Sequence, residues 1–99
     1  MKEIGPTELA VGMTALMKVG SPVRQWMHNL RGGKRKWLVP VQYTPPSQDG
    51  FTPIDGRQYV EVNLAKLMPP YAIVYHHNGR GWVKLWLDTR EVTLFDAHP

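Results

Sequence analysis

The chain has 99 residues, of which 42% are hydrophobic and 20% are charged, and this composition predicts a single globular domain over residues 1–99 with one core. It contains no cysteine, which excludes disulfides, thiolate metal sites and cysteine nucleophiles and fits a reducing compartment. No apolar run approaches the about 20 residues needed to cross a membrane, and the amino terminus lacks the pattern of a signal peptide. We therefore expect a cytoplasmic protein with no membrane partner.

The net charge of +4 is concentrated in one region. Residues 9–48 contain no acidic side chain, whereas residues 49–99 are nearly balanced. A regional excess of positive charge would form a surface patch that attracts an anionic partner. A solvated surface that merely keeps a small domain in solution is the alternative.

The amino-terminal part predicts a turn at Val11-Gly12 and a strand over residues 13–19. The spacing Leu-x-Val-Gly-Met-x-Ala-x-Met over residues 9–17 resembles the first strand of small SH3-like barrels. Ser21-Pro22 then provides a helix N-cap followed by proline at the first helical position. Because Val23, Trp26, Met27 and Leu30 follow at helical spacing, residues 21–30 predict a short amphipathic helix.

The middle of the chain predicts a basic tip, an edge strand and a long loop. The tip covers residues 31–36, and residues 37–43 predict a strand in which Pro40 favours an edge position or a bulge. Residues 44–57 read as a long loop rich in proline, although Asp55-Gly56 offers an alternative hairpin joining 51–54 to 58–62. A strand over residues 58–63 and one helical turn over 64–67 complete this part.

A β-hairpin over residues 71–87 is the strongest local prediction. Two alternating runs flank Asn78-Gly79, the dipeptide that most readily forms a tight hairpin turn. A two-residue loop would pair Tyr75 with Trp82 and Tyr71 with Trp86, and a four-residue loop would leave every side chain on the same face. One face is aliphatic and the other carries aromatic rings around a lysine. A turn over 88–91 and a short strand over 92–95 follow.

These elements predict a mostly β fold of the α+β kind, either a small half-open SH3/OB-like barrel or a curled antiparallel sheet with one short helix. The expected core comprises Met13, Leu16, Val23, Trp26, Leu38, Val60, Val62, Leu67, Val74, Val83, Leu85, Leu87 and Leu94.

The sequence offers no pattern typical of an enzyme, and we expect neither a catalytic residue nor a cofactor. Ser21 and Ser47 are the available serines, and neither lies in a nucleophile-elbow context. His76 and His77 are adjacent, so on a strand they would point to opposite faces and could not easily share a metal ion. No metal site is therefore predicted.

Positive charge combined with exposed aromatic rings is typical of proteins that bind single-stranded nucleic acid, because cations contact phosphates and bases stack on the rings. The sequence thus predicts that single-stranded DNA or RNA binds to the basic tip and to the aromatic hairpin face. The predicted site comprises Arg31, Lys34, Arg35, Lys36, Tyr75, Arg80, Trp82, Lys84 and Trp86.

Two alternatives remain open for the same residues. Cross-strand aromatic pairs also stabilise hairpins without any ligand. Tyr, Trp, Met and Arg are also enriched at protein interfaces, so the face would suit an acidic protein surface, a homodimer, or an inhibitory accessory module of a mobile genetic element.

Overall fold

The structure is a computed structural model that describes residues 1–28 and 36–97, the side chains of residues 27, 28 and 36 excepted. Within these residues, nine antiparallel strands form one sheet that does not close into a barrel. The strands are β1 (Glu3–Ile4), β2 (Thr14–Lys18), β3 (Pro22–His28), β4 (Lys36–Gln42), β5 (Thr52–Ile54), β6 (Arg57–Met68), β7 (Tyr71–His77), β8 (Trp82–Asp88) and β9 (Leu94–Asp96). Pro6–Glu8 and Gln48–Gly50 form 3₁₀ turns.

The spatial order of the strands is β1-β9-β2-β6-β7-β8-β3-β4, and β5 pairs with β6 beside this path. The 12-residue strand β6 is central, because β2 lies along one side of it while β5 and β7 share the other. This confirms the predicted mostly β fold in its form as a curled antiparallel sheet, and the described residues contain little helix.

The sheet curls around one apolar core. Alternate residues of the strands face it, and the most deeply buried side chains are Met17, Val60, Val62, Leu64, Val74, Leu85 and Leu87. Leu16 is also buried, but it lies on the opposite side of β2, where it pairs with Phe95. Because Tyr59 meets the ring of Phe95 edge-on at 6.1 Å, a second, smaller apolar cluster forms on that side.

The predicted helix over residues 21–30 is wrong for the part of it that the structure describes. Residues 22–28 form β3, which pairs along its length with β4. The Ser21 hydroxyl donates to the carbonyl of Lys18 at 2.7 Å instead of capping a helix. The backbone N–H of Tyr43 donates to the Ser21 carbonyl at 3.0 Å, so contacts with a distant segment override the local helical pattern.

As a result, Val23 and Trp26 lie on opposite faces of β3, whereas a helix would have placed them together. Val23 is 4% exposed and contacts the core, but Trp26 is 44% exposed, so its predicted place in the core is wrong. The helical turn predicted over residues 64–67 is also wrong. Strand β6 continues through it with a β-bulge between Leu64 and Lys66.

Other local predictions are confirmed. Strand β4, which contains Pro40, lies at the edge of the sheet, where proline is tolerated. The alternative hairpin is present in place of the second half of the long loop. Asp55 and Gly56 adopt φ values of 50° and 76° and join β5 to β6.

Candidate functional site

The β7–β8 hairpin forms as the sequence predicts, but with a longer loop. Residues 78–81 form the turn, so Tyr75 pairs with Lys84 and His77 with Trp82, and the pairs expected from a two-residue loop are wrong. The cause is Asn78, whose side-chain Oδ1 accepts hydrogen bonds from the backbone N–H groups of Arg80 and Gly81 at 2.8 and 3.0 Å. The even loop length leaves each side chain on its predicted face.

One face of this hairpin belongs to the core, and the other carries exposed rings and cations. Cross-strand partners share a face, so the register extends this second face from β7 and β8 onto the neighbouring strands. Arg24 of β3 pairs with Trp86, and Lys66 of β6 pairs with Ile73. We call this surface the aromatic face, defined by Arg24, Trp26, Lys66, Tyr71, Tyr75, Trp82, Lys84 and Trp86.

The rings of the aromatic face differ in exposure. Trp82 is 63% exposed, Tyr75 40% and Trp26 44%, so large parts of these rings contact solvent. Trp86 is half-buried, and its indole Nε1 is buried with no hydrogen-bond partner in the described part of the chain. Its ring lies 6.4 Å from that of Tyr71 at a tilt of 57°. Trp86, a predicted stacking residue, therefore offers less ring surface than Trp82.

Cations lie between these rings. Lys84 is exposed on β8 between Trp82 and Trp86. Arg24 on β3 and Lys66 on β6 are exposed on the two strands that flank the β7–β8 hairpin. Two carboxylates of β3, β6, β7 and β8 lie on this face. The Asp88 carboxylate accepts a hydrogen bond from the Arg90 guanidinium at 2.7 Å, and this hydrogen bond lowers the pKa of Asp88 to about 2. The other, Glu61, lies near the hairpin turn.

The predicted site is brought together only in part. Tyr75, Trp82, Lys84 and Trp86 share the aromatic face, and Arg80 is exposed in the turn beside it. Arg31, Lys34 and Arg35 lie outside the described residues, as does the side chain of Lys36, whose backbone begins β4. The sequence prediction omits Arg24, Trp26 and Lys66 because it places their segments in helices, where the alternation of a strand does not apply.

His76 and His77 point to opposite faces, as predicted. His77 is exposed, and its ring lies 5.3 Å from that of Trp82 in an edge-on contact. His76 is 2% exposed and lies edge-on to Tyr43 at 5.4 Å. Burial raises the pKa of Tyr43 to about 12. Within residues 1–28 and 36–97, no group of three or more His, Cys, Asp or Glu side chains is placed to hold a metal ion.

Comparison with known proteins identifies no relative. No protein-family model matches this chain, and no curated protein or solved structure matches it significantly. In the part of the chain that the structure describes, no helix is long and apolar enough to cross a membrane. The function of this chain is therefore inferred from its own geometry.

Burial of His76 predicts that the protein loses stability as the pH falls below about 6.5. Desolvation lowers the pKa of His76 from its usual 6.5, although the hydrogen bond from its Nδ1 to the Glu61 carbonyl partly opposes this. The unfolded chain therefore binds the proton first, and the free energy of unfolding decreases between pH 6.5 and the lower pKa of the folded state. Thermal unfolding at pH 7.5, 6.5 and 5.5 should show a falling midpoint.

Two variants separate His76 from other titrating groups. His76→Phe should flatten the dependence on pH, whereas His77→Gln, which changes an exposed ring, should retain it. Equal midpoints at pH 7.5 and 5.5 in the wild type would contradict the prediction.

Proposed function

We propose that this protein binds single-stranded nucleic acid across the aromatic face. The observation that carries the proposal is the alternation of exposed rings with cations on one open surface of the sheet. Trp82, Lys84 and Trp86 alternate along β8, with Tyr75 beside them on β7 and Trp26 on β3. Each base that stacks on such a ring gains about 1–3 kcal/mol, and this gain depends little on base identity.

The cations support the same proposal because of where they lie. Arg24 and Lys84 lie on strands that carry rings, and Lys66 lies on β6 next to β7, so phosphates between stacked bases would fall within their reach. A protein interface would place lysine at its rim, since lysine is depleted from interface centres. Here Lys84 lies in the middle of the face, which favours a polyanion.

The test is a titration of tryptophan fluorescence with an eight-nucleotide oligothymidine at 50 and 200 mM salt. We expect saturable quenching, because bases would stack on exposed indoles. With three phosphates neutralised, the logarithm of affinity should fall with that of salt at a slope of about −2, so affinity drops roughly fifteenfold over this range.

A matched pair of variants assigns this salt dependence to the face. Lys84→Gln should reduce the slope by about 0.7, the contribution of one phosphate contact in single strands. Lys2→Gln changes an exposed lysine that precedes β1 and should leave the slope as it is. Absence of quenching at both salt concentrations would reject the proposal and leave the rings as a protein interface.

A further inference from the structure

A cavity of about 200 Å³ lies at one end of the aromatic face, beside the turn of the hairpin. Its walls come from the Gln48–Gly50 turn and from β5, β6, β7 and β8. The volume is below the about 300–1,000 Å³ of pockets that enclose drug-sized ligands, so the cavity suits one small ring system. The lining residues that matter here are Asp49, Glu61, Asn63, His76, His77 and Trp82.

Hydrogen-bond acceptors dominate this lining. Among the described residues, the carboxylates of Asp49 and Glu61 have no hydrogen-bond partner. His76, whose ring lies on the opposite face of β7 from that of His77, also lines the cavity. Its Nδ1 lies 2.8 Å from the Glu61 carbonyl oxygen, which can only accept, so the proton of the neutral ring is on Nδ1. The Nε2 atom then carries a lone pair, and it is buried without a partner in the described chain.

Donors lie on two other lining residues. The Oδ1 atom of Asn63 accepts from the Thr14 hydroxyl at 3.0 Å, which leaves the amide protons of Asn63 to be donated elsewhere. The Nδ1 atom of His77 accepts from the backbone N–H of Gly79 at 3.2 Å, so its ring proton is on Nε2. Trp82 contacts the His77 ring edge-on and provides an aromatic wall.

We infer that this cavity holds a guanine base of the bound strand, an inference that rests on the proposed function. Guanine presents two adjacent donors, N1–H and N2–H₂, which match the two oxygens of a carboxylate as the fork of an arginine does. Its O6 atom accepts from a donor such as Asn63 or His77. Glu61, which lies on β6 beside the aromatic face, is the residue we assign to the two guanine donors.

The other bases fit this set of partners less well. Thymine and uracil have one ring N–H between two carbonyl oxygens. If one carboxylate oxygen accepts from this N–H, the other carboxylate oxygen faces a carbonyl oxygen of the base. Adenine and cytosine present an amino group beside an unprotonated ring nitrogen, which places a lone pair against the second carboxylate oxygen. Guanine alone places donors opposite both oxygens of Glu61.

The test compares oligonucleotides that differ at one base. Fluorescence anisotropy would measure the affinity of a labelled eight-nucleotide oligothymidine and of the same strand with one central guanine or hypoxanthine. Guanine should tighten binding about tenfold, within the range of a good bidentate contact. Hypoxanthine, which lacks the N2 amino group, should fall between guanine and thymine.

Variants assign the preference to Glu61. Glu61→Gln should reduce the guanine preference to about twofold, while its affinity for oligothymidine stays equal or increases because a negative charge is removed. Asp55→Asn changes an exposed carboxylate in the β5–β6 turn and should keep the preference. Equal affinity for the three strands, or a preference that survives Glu61→Gln, would overturn the inference and leave the proposed function standing. Failure of every strand to bind would remove both.

Discussion

Trp82→Ala is expected to weaken binding of oligothymidine by about 1–3 kcal/mol, roughly 5- to 150-fold, because the variant removes the most exposed ring of the aromatic face. The indole is 63% exposed, so its removal should change the free energy of unfolding by less than about 0.5 kcal/mol. Anisotropy with labelled oligothymidine and thermal unfolding of the same sample measure the two quantities.

Trp37 provides the matched control. It is 53% exposed, but it pairs with Met27, one position out of step with Trp26, and so lies on the opposite face of the sheet. Trp37→Ala should bind oligothymidine within about twofold of the wild type, and Trp82→Phe should recover most of the affinity because stacking needs a ring rather than an indole. Equal losses for Trp82→Ala and Trp37→Ala would show that the aromatic face is not the binding surface.

The sequence was sufficient to predict this face of the hairpin because two local signals agreed. Alternation fixed which side chains lie together, and Asn78-Gly79 fixed where the chain turns. The loop length depends on the hydrogen bonds of the Asn78 side chain, which composition does not reveal. The exact cross-strand partners were therefore beyond a prediction from pattern, whereas the faces were not.

Strand β3 shows where local pattern misleads. Ser21-Pro22 and the helical spacing of Val23 and Trp26 agree with one another, and no local signal opposes them. The strand forms because its partners are β4, the next strand along the chain, and β8, about sixty residues away. Pairing of this kind is tertiary context, which overrides helix propensity, and it is also what adds Arg24 and Trp26 to the aromatic face.

The cavity could not have been predicted from the sequence either. Asp49, Glu61 and His76 come from three segments, and each is unremarkable where it stands: a turn residue, an exposed strand residue and half of a histidine pair. They meet because β5 and β7 share one side of β6, which brings the Gln48–Gly50 turn against the end of the β7–β8 hairpin. This packing depends on Gly50.

Gly50→Ala is therefore expected to destabilise the protein and to disturb the cavity together. Gly50 is buried, and a Cβ atom there would lie 2.6 Å from the Cβ of Pro45 and 2.7 Å from the backbone oxygen of Asn78. Backbone cannot yield as a flexible side chain does, so the turn must move away from the hairpin. Overpacking of this kind costs about 1–3 kcal/mol, and in a domain of this size it should lower the unfolding midpoint by about 5–20 °C.

Displacement of the Gln48–Gly50 turn should affect the guanine preference and the affinity for oligothymidine differently. Asp49 precedes Gly50 and lines the cavity, whereas Trp82 and Lys84 are held by the β7–β8 pairing. Gly50→Ala should thus lose more of the guanine preference than of the affinity for oligothymidine. Gly81→Ala is the control, since a Cβ at Gly81 meets no atom within 4 Å and should leave both the unfolding midpoint and the preference unchanged. A Gly50→Ala protein as stable and as selective as the wild type would mean that the turn does not shape this cavity.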